Sequence, residues 1–177
     1  MTVRTSARPA VWICCFACYD NGMLNGEWFP AEDAAEATPD DLHGAPTTRD
    51  ELWLFDLEGF PADVGETSPS AVAWGELCNE LGEAPWSAVI AWADFGSCAA
   101  EGVGDLPSLG DLEDLYQVEW DSSADYAVQL AEDTGLTDGW PAAAQRYGDY
   151  DAWSRGLAFD YTVPDVTESG VFIFRCC

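Results

Sequence analysis

Apart from its carboxylates, this 177-residue chain has few side chains able to do chemistry. Cys15 and Cys18 form a C-x-x-C, the spacing of zinc and dithiol redox sites, and His43 is the sole histidine. Both cysteines fall in the apolar run of residues 11–18, VWICCFAC, which has the length and composition of a buried strand ended by the turn residues Tyr19, Asp20, Asn21 and Gly22. Three residues apart on an extended strand, two side chains point to opposite faces. The pair is therefore expected to serve as small core hydrophobes, and His43, with no nucleophile motif beside it, as an exposed loop residue. No metal, no cofactor and no catalytic residue is expected.

The carboxylates are far more numerous. The chain holds 33 Asp and Glu against six cations, all of them arginine, for a formal charge of −27. Leu109, Leu112 and Leu115 recur at three-residue steps, and Tyr126, Ala127, Leu130 and Ala131 repeat the pattern, so two short amphipathic helices are predicted. Asp111, Glu113 and Asp114 cover the outside of the first and Asp125, Glu132 and Asp133 that of the second, with Glu119 and Asp121 between them. A third row, Glu76, Glu80 and Glu83, spaces carboxylates about 6 Å and then about 4.5 Å apart along a helix axis. Like charges on one helix face weaken it by a few tenths of a kcal/mol per pair, so such faces point to a basic partner rather than to folding.

Composition narrows the class of that partner. Nine Trp, eight Phe and six Tyr in a chain that is 48% hydrophobic exclude an acidic disordered segment and supply a real core. Duplex DNA carries one charge per about 1.7 Å, so −27 equals the phosphates of about 13 to 14 base pairs, about 46 Å of axis. A compact chain of this length is about 40 Å across, a similar charge density. Adaptation to high salt would also accumulate acids and remove lysine. A carbohydrate-active enzyme or binding domain is the alternative from another class, because tryptophan platforms and paired carboxylates suit sugar chemistry. No D-x-[DN]-x-[DN]-G calcium loop occurs. No signal peptide and no membrane span is predicted, and an odd count of seven cysteines with adjacent pairs is unlike a secreted disulfide framework, so a reducing cytoplasm is expected.

The elements that must position these groups read as α+β. Residues 11–18, 27–30 and 51–60 are strand candidates of a small mixed sheet, joined by an acidic connection at 31–46 with at most one helical turn. Ser68 and Pro69 open a helix buried through Trp74, Leu77, Cys78 and Leu81, and a second runs from Trp86 to about Phe95. After the acidic helices come helical pieces at 140–148 and 149–157, then strands at 161–163 and 171–174 around a turn at 164–170. This divides the chain into residues 1–61, an N-terminal α+β domain; 62–104, a helical middle domain; and 105–177, an acidic α+β C-terminal domain.

In this order, VWICCFACYDNGMLNGEWF, LWLFDLEGF, YQVEWDSSADYAVQLAEDTG, RYGDYDAWSRGL and VFIF resemble the ArdA-type antirestriction proteins. Tyr19, Asn21, Gly22 and Gly26 match the first turn of that family, Glu58, Gly59 and Phe60 its E-G-F turn, and Asp149, Tyr150 and Arg155 its last helix. The chain departs from it at 31–46, where a longer helix is usual, and at Val118, where glycine is usual. The resemblance implies an elongated three-part chain that is no enzyme and needs no cofactor. It would imitate bent DNA in the groove of the methyltransferase core of type I restriction-modification enzymes, bind no nucleic acid itself, and pair as a homodimer through its C-terminal part. An acidic protein needs a locally apolar pairing face, and Val171, Phe172, Ile173 and Phe174 are the residues expected to form it.

Overall fold

The structure is a computed structural model and describes residues 8–62, 64, 67–81, 85–95, 100–101, 105–167 and 170–176. The chain divides into two compact units, Met1–Leu109 and Gly110–Cys177.

The first unit is built around β1 (Ala10–Cys15), the middle strand of a sheet ordered β2 (Gly26–Pro30), β1, β3 (Leu52–Glu58). Both pairings are antiparallel, so the sheet is not mixed as predicted; the connection at residues 16–25 brings β2 back beside β1, and β3 returns along the other edge. Val11, Ile13, Cys14 and Cys15 are at most 3% exposed, which is why this strand is an uninterrupted apolar run. It is also shorter than predicted. At Phe16 the backbone turns into a helix, α1 (Phe16–Asp20), closed by Asn21, whose side-chain amide donates to the Ala17 carbonyl. The turn chemistry of residues 19–22 thus reaches back into the apolar run, and Cys15 and Cys18 no longer lie on one extended strand.

The connection at 31–46 contains two helical turns rather than one: a 3-10 turn, Ala31–Asp33, and α2 (Pro39–His43). The latter starts on a capping box in which Thr38 and Asp41 each satisfy the other's backbone N–H. His43 is its last residue and is half-buried, not the exposed loop residue expected.

Thr67, one residue before the predicted cap, caps α3 (Ser68–Glu80), and α4 (Trp86–Asp94) follows. Ala71, Trp74 and Leu77 of α3 and Trp86, Val89 and Trp92 of α4 are buried, with Trp74 and Trp86 edge to face at 6.0 Å. These helices belong to the same unit as the sheet. Gly75 lets α3 approach the Ala31–Asp33 turn, since a Cβ there would lie 2.9 Å from the Ala31 carbonyl carbon and closer still to the Glu32 nitrogen. Trp86 Nε1 donates to the Gly59 carbonyl at 2.8 Å, where Gly59 takes φ +77° at the end of β3. A two-stranded ribbon, β4 (Ala100–Glu101) and β5 (Leu106–Pro107), completes the unit.

Around the unit boundary lies α5 (Leu109–Leu115), followed by β6 (Tyr116–Trp120), α6 (Ser123–Asp133), α7 (Ala142–Arg146), α8 (Tyr150–Leu157), β7 (Tyr161–Thr162), β8 (Asp165–Thr167) and β9 (Gly170–Arg175). Two of these strands were not predicted. β6 stands where only a link between acidic helices was expected, and β8 lies within the expected 164–170 turn; both are antiparallel partners of β9. β9 is the middle strand, with Phe172, Ile173 and Phe174 at most 1% exposed, and α6 covers the core through Ala127 and Ala131.

A Gly75→Ala substitution should lower the unfolding free energy by about 2 kcal/mol, because backbone rather than a movable side chain opposes the added methyl; urea unfolding checks this. Alkaline pH should destabilise the second unit. Burial pushes the Tyr116 and Tyr126 phenols up, helped by Glu119 at Tyr116 and by a hydrogen bond with Tyr161 at Tyr126. A raised phenol pKa leaves stability intact below about pH 10, where the unfolded tyrosine is also neutral, and removes it above. Ultraviolet titration should therefore show these two phenolates appearing only with cooperative unfolding, and Tyr126→Phe should flatten the pH dependence.

Candidate functional site

The acidic rows lie on helix and strand surfaces facing away from the two cores. On α3, Glu76 and Glu80 are exposed one turn apart, opposite the buried Ala71 and Trp74; Glu83 lies outside the described residues. In the second unit Asp111, Glu113 and Asp114 are exposed on α5, whose Leu112 is 1% exposed. Asp125, Glu132 and Asp133 are exposed on α6, opposite Ala127 and Ala131. Seven residues at 1.5 Å each put Asp125 and Glu132 on one line about 10 Å apart. Glu119 is exposed on β6, and Asp121 in the turn that leads into α6.

Not all of these carboxylates are spare. Asp125 accepts from Ser122 Oγ at 2.5 Å while its own N–H donates to that oxygen, which starts α6. Asp133 accepts from Gln129 Nε2 at 2.8 Å. Further exposed acids that the sequence patterns did not single out are Asp33, Glu36, Asp40 and Asp41 around the 31–46 turns, and Asp138, Asp149, Asp151 and Asp160 in the second unit. They lack helical spacing, so periodicity could not find them; local charge density was the available signal. Asp41 also serves the fold, since its hydrogen bonds from Thr38 hold its carboxyl below the usual carboxylate range.

Of the residues expected to form an apolar pairing face, Phe172, Ile173 and Phe174 are enclosed within a single copy and Val171 is half-buried. Among the described residues of the second unit, the large apolar side chains left exposed are Leu136, Trp140, Tyr147 and Phe159, the last two 79% and 88% exposed. A groove of about 520 Å³ lies between α6, α8 and the sheet, lined by Leu130, Trp153, Leu157, Asp160, Tyr161 and Arg175 among others. Among the described residues that line it Asp160 is the one carboxylate, whereas sugar hydrolysis needs two facing each other. Among the described residues no helix is long and apolar enough to cross a membrane.

A family model described as antirestriction protein (ArdA) matches residues 11–172. No curated protein matches the chain. The match runs from β1 through Phe172 of β9 and so takes in both units and every acidic row described above.

If the rows are kept for a partner, removing them should not harm the fold. Glu113→Gln, Asp114→Asn, Asp121→Asn and Glu132→Gln should each shift the melting temperature by less than about 2 °C. The four combined should raise it at low salt, and the gain should shrink at about 1 M salt, where screening acts over about 3 Å. Calorimetry checks this, and a fall in melting temperature would mean the charges serve folding.

Proposed function

Because the chain belongs to the ArdA family of antirestriction proteins, we propose that it blocks restriction as an acidic DNA mimic in the DNA-binding groove of the methyltransferase core of type I restriction-modification enzymes. The observation that carries this reading is the placement of the carboxylates: exposed rows on α3, α5 and α6, each backed by apolar residues, with Glu119 exposed on β6, in a chain of charge −27 without lysine. Side-chain carboxylates stand in for phosphates, and the Lys and Arg of a DNA groove bind them by the same non-directional attraction. No bond is made or broken, so the chain works as a stoichiometric competitor and not as an enzyme. It binds no nucleic acid itself, since like charge repels it, and it acts in the cytoplasm, where restriction meets incoming DNA.

Such binding is spread over many weak contacts and depends on salt. Each basic groove residue that exchanges a phosphate for a carboxylate contributes little, and their sum is screened together. Occupying the groove blocks methylation as well as cleavage, because both begin with the same DNA contact. The active form is a homodimer paired through the second unit. With Phe172, Ile173 and Phe174 used by the core, exposed Tyr147 and Phe159 supply the apolar surface for pairing.

Displacement of a labelled duplex from a type I methyltransferase core should be stoichiometric, and the chain's affinity for that core, measured directly without DNA, should weaken steeply between about 50 and 200 mM salt. Asp114→Asn, Asp121→Asn or Glu132→Gln alone should cost less than about threefold, and all the α5 and α6 acids other than Asp125 together at least about a hundredfold. No displacement at low salt by a folded protein would overturn the mimicry. By light scattering, Phe159→Glu with Tyr147→Glu should leave a folded monomer, whereas Phe172→Ala should cost about 3 to 5 kcal/mol of stability.

A further inference from the structure

We propose that Cys15, Cys18 and His43 form a binding site for one thiophilic metal ion, with Zn(II) the ion that this donor set suits best. The proposal does not rest on the antirestriction reading. It rests on three potential ligand atoms, the two cysteine sulfurs and a ring nitrogen of His43, that all lie within 4.8 Å of one another. Cys18 Sγ and His43 Nε2 are 3.9 Å apart. Tetrahedral zinc with bonds of about 2.3 Å to sulfur and about 2.0 Å to nitrogen holds its ligands about 3.5 to 3.8 Å from each other. Side-chain adjustments of about 1 Å therefore close the triangle around an ion.

The backbone accounts for the convergence. β1 ends at Cys15 and the chain enters α1 at Phe16, so the two cysteines are separated by a helical turn instead of three extended residues. The sulfurs approach each other for that reason. His43 arrives from the far side of the 31–46 connection on the last residue of α2. Both cysteines are at most 2% exposed and the histidine is half-buried, which keeps the sulfurs dry and leaves an approach on the imidazole side.

The surroundings supply what a metal site needs beyond its ligands. The Asn25 side-chain nitrogen lies 3.1 Å from His43 Nδ1 and 3.3 Å from Nε2. Turned over, that amide places its oxygen beside the ring, where it accepts the proton of whichever nitrogen the ion leaves free. Arg49 Nη1 donates to Cys18 Sγ at 2.6 Å and offsets thiolate charge. Two thiolates and a neutral imidazole balance a divalent ion, and with three protein ligands the fourth position is open to water. Sulfur and nitrogen donors also separate this site from the acidic surface, whose oxygens suit harder cations. Bound metal would clip together the end of β1, α1 and α2, which are otherwise joined through hydrogen bonds and a long connection.

The test uses the whole 177-residue chain, reduced and metal-free, titrated with Co(II), which takes zinc's place and reports thiolate ligation by near-ultraviolet charge-transfer absorption and tetrahedral geometry by visible bands. One equivalent should bind with both signatures, Zn(II) should displace it, and Zn(II) should raise the melting temperature. Cys15→Ser and Cys18→Ser should lose the charge-transfer band. The part-exposed His43→Ala, which keeps both buried sulfurs, should stay folded and bind about tenfold or more weakly. Cys176→Ser with Cys177→Ser should bind as the unaltered chain does. The proposal is overturned if the band survives loss of Cys15 or Cys18, if it vanishes with the terminal pair, or if the folded, reduced chain takes up no cobalt with thiolate character.

Discussion

Each unit depends on one strand that must be paired along both edges and covered by apolar side chains. In the first unit that strand is β1 and in the second β9. A middle strand leaves no backbone N–H or C=O to water, so its neighbours have to supply the ladder and its side chains can all be apolar. The arrangement explains how a chain of charge −27 folds. Repulsion among the acids acts at the surface, where water and salt screen it, whereas the core holds Trp74, Trp92, Phe172 and Phe174, each at most 2% exposed.

From this division of labour follows the placement of the acids. A short helix can lay one stripe on the core and must leave the rest outside, and in α5 and α6 the stripe is Leu112 or the pair Ala127 and Ala131. The remaining positions are free to be acidic in proportion to what a partner rewards. Some acids do both jobs: Asp125 and Asp41 stabilise helix starts, where a carboxylate satisfies backbone donors and meets the positive end of the helix. A row of this kind is partly structural at its helix-starting end and wholly solvent-facing further along.

The same strand that organises the first unit ends where the chain's soft donors converge. Cys15 is at once the last residue of β1 and the residue before α1, so strand end, helix start and sulfur geometry are one feature of the backbone. Asn25 belongs to it too, since its carbonyl accepts from the Cys15 N–H at 3.0 Å while its side chain faces His43. A residue that closes the sheet thereby also lies against the imidazole.

The sequence by itself determined the class of fold, most of the helices and the character of the surface, because these depend on local periodicity and on charge counts that no folding can change. Trp74, Leu77, Leu112 and Ala127 are where a helical stripe puts them, and Glu76, Asp114 and Glu132 are outside for the same reason. Tertiary structure decided what depends on pairing between distant segments. β6 alternates as Tyr116, Gln117, Val118, Glu119, Trp120, yet it is a strand because β9, some 50 residues on, completes its ladder, which no short window of sequence contains. Packing decided the fate of Val171 to Phe174 too: an apolar run reads alike whether it faces a second copy or its own core, and here the core takes Phe172, Ile173 and Phe174. For Cys15 and Cys18, a turn beginning at Phe16 converted an alternating pair into converging side chains, and α2 then carried His43 to them, because side-chain direction follows backbone dihedrals that residue spacing alone does not specify.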